Sequence, residues 1–464
     1  MSKKQVIVLF LMFLSFNLQF DYENERKSIM LVNFSVQNFR SIKDKVTLSF
    51  EAAKSDDLED YYIIKPKEGI RLLKLGLIYG ANASGKTNLL KALDFLRDLI
   101  MEPVDKKTEP ISFAPFLFDD KTPTQNTIMK IEFYQKGIKY LYELEFNNDF
   151  IVKEELRNFN PNKAIVFTRT TNKENQLSKI EFGRKIEIDK SHKSTLEANT
   201  LWNNTVLGGF LKTNIESTEL QNVINWFRSK LKPIVHPKSN LFDYVSDKLD
   251  SNAIDKRTVL EVLKKADFNI SDIVVDVNEQ EVTSEFVDLV SKKLKISEFE
   301  LKKLKSEKKI TTKELLFEHV VNGTGKYHLS FDDESAGTQR YYEFGGLLDM
   351  LIHNEIIFPI DEFESSLHPD LLKHFLLSFL VNSKKSQLIA TTHLRELLME
   401  KDIFRNDAIW FTEKKDDGST DLFSLDDFDS SVIRKGSSAY NAYKAGKLGA
   451  TPNLSDYYLD LDYE

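Results

Sequence analysis

A mixed-sheet α/β fold with an antiparallel β subdomain and a helical insertion is predicted for this 464-residue chain, on three observations. The apolar run LLKLGLIYG (Leu72 to Gly80) reads as a strand buried on both faces, and it ends in glycine. Directly after it, GANASGKT leads into Leu89, Leu90, Leu93, Leu96 and Ile100 at helical spacing, a strand–loop–helix unit. From about Phe331 to Asp427, helix-like and strand-like stretches alternate again, which places a second set of α/β units late in the chain.

Taken in order, the first twenty residues put two lysines before an apolar run from Val6 to Phe16, a pattern that imitates a signal peptide. The run is short for a bilayer span, and no small-x-small cleavage site follows it. Three accounts stand: a start placed too early before Met30, a buried or partner-binding segment, or an export or anchor signal. From Leu31, LVNFSVQNF and VTLSF alternate around a polar turn, as in a hairpin or meander. Two alternating segments flank Lys136-Gly137, a second hairpin signal, and FIVKEELRNF and AIVFTR extend the sheet. Between about Thr213 and Lys309 charged, helix-spaced segments take over; LLFEHV and KYHLSF then resume strand patterning. The expected organisation is therefore 1–29 extension, 30–212 N-terminal lobe, 213–313 helical insertion and 314–464 C-terminal lobe.

Composition narrows the chemistry. A formal net charge of −8 argues against a protein that coats nucleic acid over its whole surface, though local basic patches are compatible with it. With no cysteine, disulfides and thiolate metal sites are excluded, and a reducing compartment is compatible. The eight histidines show no HxxxH or HExxH spacing. A cytoplasmic location with no stable membrane insertion is expected.

The stretch IYGANASGKTNLLKAL fits the pattern GxxxxGK[ST], with Gly80, Gly85, Lys86 and Thr87 at its fixed positions and Asn82, Ser84 and Asn88 beside them. Such a loop points successive backbone N–H groups and a helix N-terminus at polyphosphate. Lys86 is expected to reach the β- and γ-phosphates and Thr87 to ligate Mg²⁺, so ATP and Mg²⁺ are the expected ligands. In EIIFPIDEFESSLHP an apolar strand ends at Asp361, placed to support the metal, and Glu362, placed to orient or deprotonate water. A helix-capping acidic pair is the alternative there. Pro359 removes a ladder donor from this strand; a local bulge, or a position whose N–H is left unpaired, accommodates it. The run QLIA ends in Thr391-Thr392-His393, where His393 can bond a γ-phosphate or be a satisfied loop histidine. In DESAGTQRYYEF, Ser335 and Gly337 precede a helical run, as an anion site or a plain N-cap.

In this order the motifs resemble those of ABC-type ATPases, in particular the branch of SMC, RecF and overcoming-lysogenization-defect proteins. FSVQNFRSIKDKVTLSF is similar to their first strands, GANASGKTNLL to their phosphate loop, ESAGTQR to the signature, IDEFESSLHP to the Walker B and D-loop, and TTH to the switch histidine. DEFESSLHP together with YNAYKAGKLGATPNL resembles the AAA-annotated ATPases of bacterial phage-defence operons, of abortive-infection, PARIS and Rlo types, in which an ATPase is paired with a separate effector.

The resemblance implies a P-loop NTPase head of ABC-ATPase type that hydrolyses ATP. It further implies Glu362 as base, His393 as γ-phosphate sensor, Ser365 and Ser366 in a D-loop, and Arg40 approaching the nucleotide. Ser335 and Gly337 would reach the γ-phosphate held by a second subunit, giving a homodimer or larger oligomer. The signature has ES where transporters have LS, and Gln125 is the nearest candidate for a Q-loop glutamine. A RecF-like DNA-binding repair ATPase is the runner-up; a transporter subunit and a non-hydrolysing scaffold rank below it.

Few residues follow His393, too few for a Toprim nuclease, so Asp427 and Asp429 in SLDDFDSS read as a turn and an effector as another chain. The lysine-rich run 292–313 could touch nucleic acid or an acidic partner, with a solvated helix face as its default reading.

Overall fold

The computed structural model describes residues 29–266, 268–281, 309–400, 402–428 and 439–451. The apolar N-terminal run, residues 292–308 of the lysine-rich run and Asp429 lie outside them. In chain order the strands are β1 (Met30–Gln37), β2 (Val46–Ser49), β3 (Ile63–Ile64), β4 (Leu72–Leu73), β5 (Leu75–Gly80), β6 (Thr127–Gln135), β7 (Ile138–Phe146), β8 (Ile151–Phe159), β9 (Lys163–Asn172), β10 (Leu177–Phe182), β11 (Ile270–Glu281), β12 (Lys309–Val321), β13 (Gly325–Ser330), β14 (Ile357–Ile360), β15 (Gln387–Thr391), β16 (Ile409–Lys414) and β17 (Thr420–Ser424). They fall in two compact units. One runs to Ser239 and takes up Leu351–Ser365 and the chain from Leu372 onward; the other is Asn240–Met350 with Ser366–Leu371.

The larger unit holds two main sheets. The antiparallel one has seven strands in the order β10-β9-β8-β7-β6-β1-β2. Its β6–β7 hairpin turns at Lys136 (φ 51°) and Gly137 (φ 77°), both left-handed, as a tight two-residue turn matched to strand twist requires. The mixed sheet has the order β14-β15-β5-β16-β17, with β14, β15, β5 and β16 parallel and β17 antiparallel at the edge. All six residues of β5 are buried, so its unbroken apolar run reflects cover on both faces.

Two long-range polar contacts bind this unit together. The buried amide of Gln387 accepts from Leu31 N (2.7 Å) and donates to the carbonyls of Leu31 and Leu73 (3.0 Å each), tying β15 to β1 and β4. Lys74 is buried, and its ammonium donates to Leu380 O (3.0 Å) and Ser383 O at the C-terminal end of the helix Pro369–Asn382. Tyr443, on the short helix Ala439–Lys444, packs its ring 6.2 Å from Tyr79 and 5.3 Å from Phe411, and its hydroxyl donates to Ala450 O (3.0 Å). Part of the YNAYKAGKLGATPNL stretch therefore lies against β5 and β16.

Pro359 is accommodated without a bulge. Its carbonyl accepts Val235 N (3.0 Å) from the segment Leu231–Val235, which runs parallel to β14 on the side away from β15. A strand residue directs its N and C=O to the same side, so the missing donor falls on that irregular flank and costs the β14–β15 ladder nothing.

The smaller unit departs from the helical insertion expected over 213–313. It holds the helices Phe242–Asp250 and Lys256–Lys265, but also β11, which pairs antiparallel with β12 in the sheet β11-β12-β13. Ile273, Leu315 and Phe317 are buried there, an alternation that the surrounding Asp and Glu residues masked. The helix Ala336–His353 approaches its neighbours closely at Gly345-Gly346. A Cβ on Gly346 would lie 2.5 Å from Val245 Cγ1, and one on Gly345 3.2 Å from Val259 Cγ1.

Candidate functional site

Residues 81–85 turn sharply between β5 and the helix Lys86–Met101, with Ala83 at φ 61° and Gly85 at φ 107°. The loop is braced from β16 and β17. Ser84 Oγ and Thr412 Oγ1 share a hydrogen bond of 2.6 Å, and Thr420 Oγ1 donates to Ser84 O (2.9 Å). The fit explains both fixed glycines. A Cβ on Gly85 would lie 2.0 Å from Thr420 Oγ1, and one on Gly80 would lie 2.4 Å from Thr412 Oγ1. Lys86 donates to the carbonyls of Gly80 (2.9 Å) and Ala81 (3.1 Å). Burial pushes its ammonium down to about 8, against the attraction of Glu364, Asp361 and Glu362.

Asp361 ends β14 and is buried. Thr87 Oγ1 donates to its carboxylate (2.9 and 3.1 Å), as does Thr391 Oγ1 (2.6 Å). Glu362 follows at φ 45°, a left-handed conformation uncommon for a non-glycine residue and often retained at functional sites. Its N–H donates to Thr391 Oγ1 (2.8 Å), and its side chain is exposed. From the end of β15, His393 meets the same loop: its backbone N–H donates to Glu364 Oε1 (2.5 Å). Burial is the main cause lowering the imidazole's pKa and Lys86 adds to it, against the attraction of Glu364, Glu362 and Asp361.

These side chains open onto one cavity of about 350 Å³, lined by Asn82, Ala83, Ser84, Gly85, Lys86, Thr87, Asn88, Glu362 and His393. Backbone donors, a buried cation and a hydroxyl–carboxylate pair suit a polyphosphate and a magnesium ion that keeps several waters. Among the described residues no cluster of three or more His, Asp or Glu side chains could hold a metal by itself.

The remaining expected residues lie elsewhere. Gly80 is buried beneath the loop through its contacts with Thr412 and Ser84. Arg40 is exposed at φ 51°, donates its N–H to Ala114 O (2.8 Å) and sits over Phe39; the cavity lining does not include it. Its neighbour Ser41 does reach the loop, accepting from Asn88 Nδ2 (2.8 Å) and bonding Thr420 Oγ1 (2.7 Å). Gln125 is exposed and does not line the cavity; its carbonyl accepts from Asn38 (3.0 Å). Ser335 and Gly337 belong to the smaller unit, where Ser335 Oγ accepts Thr338 N (3.1 Å) as an N-cap. Ser365 donates its N–H to Glu362 O (2.9 Å), and Ser366 follows at φ 67°. Asp427 accepts Ser424 N (2.8 Å) in a capping box, a local structural role. Sequence reasoning missed Glu364, Thr412, Thr420 and Ser41. Only Glu364 carried a usable signal, since it lies inside DEFESSLHP.

A mixed sheet that feeds a phosphate loop, with carboxylate and histidine at its strand ends, defines a P-loop α/β protein. By sequence the chain belongs to the family described as "AAA domain, putative AbiEii toxin, Type IV TA system", whose profile matches residues 77–400. No curated protein matches it. Among solved structures it is similar to the SMC head domain from Thermotoga maritima, at 13% identity and TM-score 0.38, over 85% of this chain and 98% of that one. It is also similar to an SMC head bound to the C-terminal winged-helix domain of ScpA (14%, TM-score 0.39, 85% and 97%). A third is the SMC head with extended coiled coil bound to the ScpA C-terminal domain, derived from Pyrococcus furiosus (14%, TM-score 0.38, 90% and 99%). No helix among the described residues is long and apolar enough to cross a membrane.

Proposed function

We propose that the chain binds ATP with Mg²⁺ in this cavity, hydrolyses it, and uses the ATP cycle to control an effector in defence against phage. The observation that carries the reading is that Glu362 and His393 line the same cavity as Lys86 and Thr87. Glu362 takes a proton from water as its oxygen bonds to the γ-phosphorus. The bond to the β,γ-bridging oxygen breaks, and its electron pair leaves with ADP. Thr87 and Asp361 would hold the magnesium ion, which when bound would draw charge from the phosphates; Lys86 binds the β- and γ-phosphates, and His393 hydrogen-bonds the γ-phosphate. Asn82, Ser84, Gly85 and Asn88 cradle the phosphates. Ser335 and Gly337 of a second copy complete the site, with Ser365 and Ser366 at the seam.

The family description, with its toxin–antitoxin wording, supports a defence setting over repair. It leaves two places for the harmful activity: this chain or a paired effector such as a nuclease or toxin. We favour the paired effector, because DEFESSLHP together with YNAYKAGKLGATPNL resembles ATPases that are paired with a separate effector. Co-expression with the neighbouring gene, pull-down and mass measurement with and without ATP test the pairing; growth arrest by this chain alone would move the toxic activity onto it. The catalytic reading is tested by Glu362→Gln. It should lower ATP turnover at least a hundredfold while ATP binding persists and ATP-bound oligomers accumulate; unchanged turnover sinks it.

A further inference from the structure

The loop after β14 and the loop after β15 are zipped together by contacts that all involve residues 361–364 and 391–393. Thr391 supplies three of them. Its hydroxyl donates to Asp361 and accepts Glu362 N, and its carbonyl accepts Phe363 N (3.0 Å). None of these reaches the residue that presents the imidazole. That contact is made by Glu364, whose Oε1 accepts the N–H of His393 at 2.5 Å. We infer that Glu364 is the positioning residue for His393, fixing its backbone so that the imidazole lines the phosphate cavity opposite Glu362.

Its chemistry exceeds what an ordinary loop cap needs. The second oxygen, Oε2, is buried and makes no hydrogen bond among the described residues, an arrangement that costs free energy when it serves structure alone. Its charge also acts on the Lys86 ammonium and on Tyr79, the β5 residue one position before Gly80. One side chain thus joins the loop after β14 to the backbone of His393. A carboxylate is long enough to accept the His393 N–H from three residues beyond Asp361, which a serine or alanine at that position is not.

The inference rests on the ATPase reading, and two measurements separate the two claims. In steady-state turnover, Glu364→Ala should lower kcat at least tenfold with KM for ATP within about twofold. Glu364→Gln, whose amide oxygen still accepts the N–H, should stay within about threefold of the native chain in kcat. Because Glu364 acts through His393, Glu364→Ala/His393→Ala should be no slower than His393→Ala alone. Hydrogen exchange of the intact chain, followed in peptides covering 391–394, should speed up in Glu364→Ala and not in Glu364→Gln. Additive losses in the double variant, a Gln variant as slow as Ala, or unaltered exchange in Glu364→Ala would each overturn the assignment. A native chain that binds ATP without turning it over defeats the hydrolysis reading alone, while the exchange comparison still decides the role of Glu364.

Discussion

At the scale of single residues, the phosphate loop owes its shape to groups far away in sequence. Gly85 holds φ at 107° directly beneath Thr420, and a methyl group there would lie 2.0 Å from the threonine hydroxyl. Gly85→Ala is expected to weaken nucleotide binding tenfold or more, through left-handed strain of about 1–3 kcal/mol with the clash added. Titration with a fluorescent ATP analogue measures this, and affinity equal to the native chain would refute it. The motif residues themselves were legible in sequence because their spacing is local: GANASGKT, Asp361-Glu362 and Thr391-Thr392-His393 each sit at a strand end that its apolar run announces. Thr412 and Thr420 were not legible. Nothing in DAIWFTE or STDLFS tells that two threonine hydroxyls turn toward residues some three hundred positions earlier.

At the scale of elements, the buried Lys74 sets a pH dependence. Burial lowers its ammonium from 10.5 to about 8, while the carbonyls of Leu380 and Ser383 and the negative end of their helix retain part of its charge. The unfolded chain binds this proton up to its ordinary pKa, and the folded chain releases it near 8. Between these values the unfolded state carries more protons, so folding stability from this group rises with pH from about 8 to 10.5 and is lost again as pH falls to 8. Denaturant titrations at pH 8 and pH 10.5 should show the native chain gaining on Lys74→Met by about 2 kcal/mol. A stability difference that does not change with pH would remove Lys74 from the account. The element types were read well where the period was clean, as in the all-buried β5 and the hairpin at Lys136-Gly137. They were misread over β11, because ISDIVVDVNEQE interleaves its apolar positions with charges and follows a helix rich in lysine. Pairing with β12, supplied from across the sequence, decides that segment.

At the scale of the whole molecule, the proposal divides each site between two copies, and this predicts complementation. Lys86→Ala should disable the phosphate loop of its own chain, and Ser335→Arg should disable the signature that the same chain offers to another. Each variant alone should lack ATP turnover. Mixed, they should recover roughly a quarter of native activity, because about half of the dimers are heterodimers and each holds one intact composite site. A mixture as inactive as its components would show that Ser335 acts within its own chain or not at all.

By itself the sequence determined the phosphate loop, the acidic pair and the histidine, and with them the class of fold, because each is a short motif at the end of a buried strand. Tertiary structure alone decided that Asp361 takes both Thr87 and Thr391, that Glu364 holds His393, and that β17 threonine chemistry shapes the loop. The physical reason is that a parallel sheet orders its strands by packing and hydrogen bonding rather than by chain position, so β14, β15, β5 and β16 bring their ends together only once the sheet has formed.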